Sequence, residues 1–129
     1  MKNLLKILLV SGILLSGVTS LNAKEIYLSK QTNKDYTIDV KVYDDLKIGD
    51  NEFNVKIIYQ TLPLDGVHVN FKLYKPNGEI VELKTKKAND KNNYVFNINL
   101  EEKGEYKYVV TYNVITGGYP RNSSGSFQL

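Results

Sequence analysis

The chain has no cysteine, one histidine and one methionine, and that methionine is Met1. Each shortage removes chemistry. Without thiols there is no disulfide, so the fold must rest on packing and backbone hydrogen bonds alone. A thiol nucleophile is excluded. A Ser-His-Asp arrangement would have to use His68. Copper(I) asks for thiolate, thioether or imidazole donors, and beyond Met1 the chain offers one imidazole. A nucleophile elbow, a phosphate-cradling glycine loop and a zinc pattern are also missing. No internal repeat or low-complexity stretch appears.

Long apolar runs are scarce too. The one that stands out, Ile7 to Val18, covers 12 residues, and a bilayer span needs about 20. Lys2 and Lys6 precede or open it, and the small residues Ser20 and Ala23 follow. This is the n-region, h-region and cleavage site of a secretory signal peptide. Cleavage after Ser20 leaves Val18 at the −3 position. Cleavage after Ala23 leaves Leu21 there, and Ala23 is preferred because the chain turns polar at Lys24 and Glu25. Leu15-Ser16-Gly17-Val18 has the shape of a bacterial lipoprotein box, but Val18 stands where the lipid-bearing cysteine would be. The expectation is therefore a signal peptide over 1–23 and a single domain over 24–129. That domain is periplasmic or secreted, soluble, and without a membrane anchor after cleavage.

The formal charge of +3 is misleading. Lys2 and Lys6 leave with the signal, so 15 basic and 14 acidic side chains remain. A net charge of about +1 is no footprint for nucleic acid or anionic lipid.

What the chain does have is alternation. Period-two patterning marks half-buried strands. Tyr36, Ile38, Val40 and Val42 alternate with polar residues, as do Phe53, Val55, Ile57 and Tyr59. Val67 to Leu73, Tyr94 to Leu100 and Tyr106 to Val114 repeat the pattern. Ile80 to Leu83 gives a shorter strand. Ser123 to Leu129 supplies the last, with Phe127 inward, and residues 25–30 add an edge strand. Turn signals separate the runs. In Lys75-Pro76-Asn77-Gly78, Pro76 presets φ for a type I turn and Gly78 suits the left-handed position after it, a hairpin with a bulge. Pro63-Leu64-Asp65-Gly66 makes another connection. Glu101-Glu102-Lys103-Gly104 reads as a further hairpin turn. Seven to eight short strands and no helix predict an all-β fold, an antiparallel sandwich of immunoglobulin type. Tyr106 and Tyr108 compete for the role of tyrosine corner.

Candidate chemistry is thin. His68 lies between Val67 and Val69 on the polar face of its strand, where it reads as a surface histidine. Glu101 and Glu102 are paired acids, as glycoside chemistry requires, but they fall in a turn where exposed acids are routine. Asp44, Asp45, Asp50 and Asn51 gather oxygens in one connection. Calcium takes six to eight oxygens, no recognised spacing is present, and turn chemistry accounts for these residues. Whether Asp44, Asp45 and Asp50 bind calcium is left open by the sequence. No catalytic residue, metal ligand or cofactor is assigned, and no enzyme activity is expected. The segment Ile115-Thr116-Gly117-Gly118-Tyr119-Pro120-Arg121 joins the last two strands. It places an aromatic and the only arginine beside two glycines. Tyr and Arg are enriched at binding hot spots, so Tyr119 and Arg121 are the candidate partner-binding residues. The competing reading is a plain connection with Tyr119 laid across the sandwich edge.

Lys47-Ile48-Gly49-Asp50-Asn51-Glu52-Phe53-Asn54-Val55 resembles the YtkA/FixH-like family of bacterial exported domains, which enter an early strand through a similar Gly-x-Asn. Gly66-Val67-His68-Val69-Asn70-Phe71, the stretch from Tyr94, and Gly104-Glu105-Tyr106 extend the resemblance over roughly 35–114. The chain is also similar to generic bacterial immunoglobulin-like modules, which bind partners or act as spacers. The family resemblance implies an immunoglobulin-like fold outside the cytoplasm, and some relatives are associated with copper handling and oxidase assembly. Metal-linked members often carry methionines near the middle hairpin, where this chain has Tyr74-Lys75-Pro76. The expectation is a binding or accessory module with a protein partner in the cell envelope. The alternative is an accessory factor in metal delivery or membrane-complex assembly.

Overall fold

The structure, a computed structural model, describes residues 24–114 and 120–129. The export signal read in residues 1–23, with both cleavage points, lies outside the described residues.

Among the described residues nine strands follow one another: β1 (Ile26–Asn33), β2 (Tyr36–Val42), β3 (Gly49–Tyr59), β4 (Leu62–Pro63), β5 (His68–Tyr74), β6 (Ile80–Thr85), β7 (Tyr94–Leu100), β8 (Glu105–Asn113) and β9 (Arg121–Gln128). The expected alternating runs all form strands. The addition is β4, two residues that double back on the end of β3; so short a run has no period to read. Every pairing is antiparallel. One sheet runs β1-β2-β3, with β7 and β4 both on the far side of β3; the other runs β6-β5-β8-β9.

The apolar halves of the alternating strands face each other. Ile38, Val40, Phe53, Val55, Ile57 and Phe96 from the first sheet meet Val69, Phe71, Leu73, Tyr108 and Val110 from the second, all buried. Rings bridge the sheets: Phe53 to Phe71 and Phe71 to Phe96 are both 5.3 Å between centroids. Phe127 turns inward and stacks on Tyr106 at 5.1 Å. Each such side chain contributes about 1.5–3 kcal/mol on burial, which stands in for the missing disulfides.

The chain changes sheets three times, and polar side chains pin each crossing. Between β4 and β5, Tyr94 Oη donates to Leu64 O and accepts from Val67 N, each at 2.9 Å. Between β6 and β7, Asn89 Oδ1 accepts from Asn93 N at 2.9 Å, and Asp65 Oδ1 accepts from Ala88 N at 2.8 Å, tying this crossing to the previous one. The third crossing is a correction. Glu101-Glu102-Lys103-Gly104 does not close a hairpin, because β7 pairs with β3 whereas β8 pairs with β5 and β9. Tyr106 is the tyrosine corner there: its Oη donates to Glu102 O at 2.5 Å. Tyr108 instead donates to Ser29 Oγ at 2.7 Å. Gly104 has φ of 137°, and a Cβ on it would lie 2.9 Å from Pro76 Cβ and Cγ; glycine suits both demands.

The expected hairpin at 75–78 forms. Gly78 N donates to Lys75 O at 3.0 Å, Lys75 N to Glu79 O at 2.8 Å, and Gly78 has φ of 94°. Along one side, edge strands β1 and β9 are stitched across the sheets. Gln31 Oε1 accepts from Ser123 Oγ and, at 3.1 Å, from Ser124 N. The start of β1 and the end of β9 lie at the same end of the sandwich: Lys24 pairs with Asp45 in the β2–β3 connection, and Leu129 exchanges backbone hydrogen bonds with Gly104.

Candidate functional site

The other end of the sandwich gathers the β1–β2 turn, the β3–β4 turn and the start of β9. Asn33 and Tyr36 pair across a two-residue turn, as do Tyr59 and Leu62. Lys34 and Gln60 each take φ of 57° to make these turns. Gln60 N donates to Asp35 O at 2.7 Å, which binds the two turns together. Register then sets Tyr36 beside Tyr59, with rings 5.1 Å apart. Tyr36 also reaches across to Tyr112 in the second sheet, at 6.2 Å.

Arg121 lies on this group. It opens β9 rather than sitting in the preceding loop, opposite Tyr112, and its guanidinium carbon is 4.9 Å from the Tyr36 ring centre. It shares the inward side of β9 with Ser123, Gly125 and Phe127, and it remains half-buried because the sandwich ends there. Burial pushes the Tyr112 phenol above its ordinary pKa, with the Arg121 charge pulling the other way. Beside the ring cluster, Leu62 is 61% exposed and Tyr59 38%. Tyr119 lies outside the described residues.

The remaining candidates are placed as follows. Asp44, Asp45, Asp50 and Asn51 line a hollow of about 220 Å³ at the opposite end, with Tyr43, Lys47 and Glu52. Of these, Asn51 serves the turn, and Asp45 and Asp50 reach to neighbouring segments. Asn51 accepts from Lys47 N at 3.0 Å and donates to Lys47 O and Gly49 O, each at 2.8 Å. Asp50 accepts from Asn99 at 2.9 Å, and Asp45 pairs with Lys24 at 3.0 Å. Glu101 pairs with Lys75 at 3.2 Å, and Glu102 accepts from Asn77 N at 3.1 Å, so both acids brace the 75–79 turn against the third crossing. His68 is exposed on the outer face of β5, as its strand parity requires.

Among the described residues, no three His, Cys, Asp or Glu side chains come together as a metal-holding group. They supply a single imidazole and neither thiol nor thioether. That donor set does not fit a soft copper ion.

The sequence reading missed a polar layer on the outer face of the first sheet. Lys41 is buried although its strand parity points it outward. Tyr27 and Tyr43 lie over it, each with its ring centre 5.6 Å from Nζ, and Nζ donates to Glu25 Oε2 at 2.8 Å. Burial alone would lower the Lys41 pKa, but the Glu25 contact and the flanking phenols outweigh it and raise it. The lysine in turn holds Glu25 below the usual carboxylate range. A bulge in β1 between Tyr27 and Ser29 accompanies this arrangement.

A family model described as YtkA-like matches residues 30–111, more than half of the chain. The chain belongs to the YtkA-like family. The segments at 47–55, 66–71 and 104–106 that carry the resemblance in the sequence all fall inside that span. Among solved structures, this YtkA-like domain is similar to FetP of uropathogenic E. coli strain F11, crystallised as isolated after recombinant expression in the periplasm of E. coli BL21(DE3). The match has a TM-score of 0.61 at 12% identity and covers 84% of this chain and 97% of that one. At such identity the likeness is one of fold. No curated protein sequence matches.

Proposed function

We propose that this YtkA-like domain is an exported binding or accessory module, periplasmic or secreted, that acts by contact with a protein partner in the cell envelope and performs no catalysis. The contact is made by the end of the sandwich that carries Arg121. The supporting observation is the seating of the chain's only arginine on Tyr36, beside the exposed Tyr59 and Leu62. Interface anchors are enriched in Arg and Tyr, and they are most effective when held rigid beforehand. Here both sheets and two linked turns hold them. Tyr119, two residues before Arg121, is assigned to the same contact. Residues 1–23 act as the export signal, and no lipid anchor follows because Val18 replaces the cysteine.

Site-specific photo-crosslinking in the expressing cell tests this. A photoreactive residue at Leu62 should give one discrete adduct with an envelope protein, and Arg121→Ala should abolish it. The same probe at Ile48, exposed at the opposite end, should not give that adduct. Identical adducts from both ends, or an adduct indifferent to Arg121, would overturn the proposal.

Metal delivery is the second reading, favoured by the family match. Stoichiometric copper binding by the purified full chain at micromolar affinity or tighter would put it first. Assembly of a membrane complex would need only the protein contact.

A further inference from the structure

Strand β6 is an open edge of the second sheet. It pairs with β5 on one side, and among the described residues no strand lies along the other. Its free backbone groups can be named. Lys75 N donates to Glu79 O at 2.8 Å, and hydrogen-bonded pairs in an antiparallel ladder recur at every second residue. Val81, Leu83 and Thr85 therefore bond to Leu73, Phe71 and Val69 on β5. The N–H and C=O groups of Ile80, Glu82 and Lys84 turn to the free side. The side chains of these three residues are exposed on the outer face, Ile80 by 55%. Val81 and Leu83 point into the core but stay half-buried, because no strand covers them from the side.

The other edges differ. β1 and β9 are joined to each other through Gln31 and Ser123, and a bulge blunts β1. β4 has two residues. β7 is open on the side away from β3, but its outward residues Val95, Asn97 and Asn99 carry no charge to fix a register. β6 carries one charge of each sign, two residues apart on one face. Asn70 Nδ2 donates to Glu82 Oε2 at 2.6 Å, which fixes the carboxylate on that face and occupies one of its two oxygens. The charge spacing is self-complementary. Pairing β6 antiparallel with itself about Leu83 sets Glu82 of each copy opposite Lys84 of the other. Centring on Glu82 or on Lys84 instead opposes like charges. A slip of one residue turns the inner face outward.

We propose that β6 is a dimerisation edge, pairing antiparallel with β6 of a second copy about a twofold axis at Leu83. The two four-stranded sheets become one continuous sheet. Glu82 exchanges both backbone hydrogen bonds with Lys84 of the other copy, and their side chains form an ion pair on the outer face. The two Leu83 side chains meet on the inner face at the closer, non-hydrogen-bonded spacing. Ile80 lies along the stem of Lys86 of the other copy. The contact is isologous, so it closes at two copies. Arg121, on β9, lies at the opposite edge of that sheet and takes no part.

Sedimentation equilibrium of the full chain, as purified after expression with its export signal, tests this. The expected result is a reversible monomer–dimer equilibrium at or below about 1 mM chain, with no larger species, weakening as salt screens the ion pairs. Glu82→Lys and Lys84→Glu, each alone, set like charges opposite one another and should weaken the dimer about tenfold or more. Mixing the two variants restores opposite charges across the axis and should give a heterodimer, which also shows that both variants fold. The chain has no cysteine, so Leu83→Cys should give a disulfide-linked dimer on mild oxidation. Val81→Cys, which faces Thr85 of the other copy, should not. A chain that stays monomeric at about 1 mM, a dimer indifferent to both charge reversals, a mixture that stays monomeric, or equal disulfide yields from the two cysteine variants would each overturn the proposal.

Discussion

Glu25 Oε2 accepts a hydrogen bond from the Lys41 ammonium at 2.8 Å, and the lysine is covered while the glutamate is 46% exposed. Removing the carboxylate leaves a buried cation with only two phenol rings against it. Glu25→Gln should therefore destabilise the domain at pH 7, by about 1 kcal/mol after discounting for exposure. The Glu25 pKa is lowered on folding, so its contribution is fully present above the unfolded value of about 4.3. It is lost as pH falls through the folded value. Urea unfolding of the two proteins between pH 3 and pH 7 should show the gap closing on the acid side. A gap that stays constant to pH 3 would contradict the assignment.

Tyr94 and Tyr106 each tie a crossing between the sheets, but not equally. Tyr94 serves one acceptor and one donor at good distances, whereas the Tyr106 contact with Glu102 N is a long 3.4 Å. Tyr94→Phe leaves two backbone groups unpaired and should cost about 2–3 kcal/mol; Tyr106→Phe should cost about 1 kcal/mol. Thermal melts should rank them in that order.

Gly125 lies beneath the Tyr108 hydroxyl, and a Cβ there would occupy the space of the phenol. Gly125→Ala should destabilise by about 1–3 kcal/mol. Combining it with Tyr108→Leu should cost less than the two single changes summed, since the shortened side chain vacates the clash. Full additivity in denaturant melts would show that strand β9 tolerates the methyl group by shifting.

Arg121→Ala removes a cation from the Tyr36 ring. The stability loss should be small, about 0.5–1 kcal/mol, while the crosslink from Leu62 should disappear. A melting temperature that collapses would instead make Arg121 a structural residue.

The strands were legible in the sequence because alternation states which residues share a face. It does not state which sheet a strand joins. That is why the segment Glu101 to Gly104 looks like a hairpin turn although it carries the chain between sheets. Arg121 was mislaid in a loop because the inward partners that follow it, Ser123 and Gly125, are too small to show an apolar rhythm. Lys41 was missed for the opposite reason. Its parity is outward, and only the reach of Tyr27 and Tyr43 from neighbouring segments covers it. The fold and the surface position of His68 were thus available from pattern alone, and the Tyr36–Arg121 cluster was not.

The start of β1 and the end of β9 lie at one end of the sandwich, and Arg121 lies at the other. Anything attached at either place hangs behind the domain, leaving the aromatic end to face forward. Tension applied between the two places would not run down the length of the sandwich. It would peel β1 from β2 and β9 from β8 from their own ends, against the stitch at Gln31 and Ser123. The domain is thereby held by its back, and pulling there lifts Phe127 off Tyr106 before it reaches the Gln31 seam.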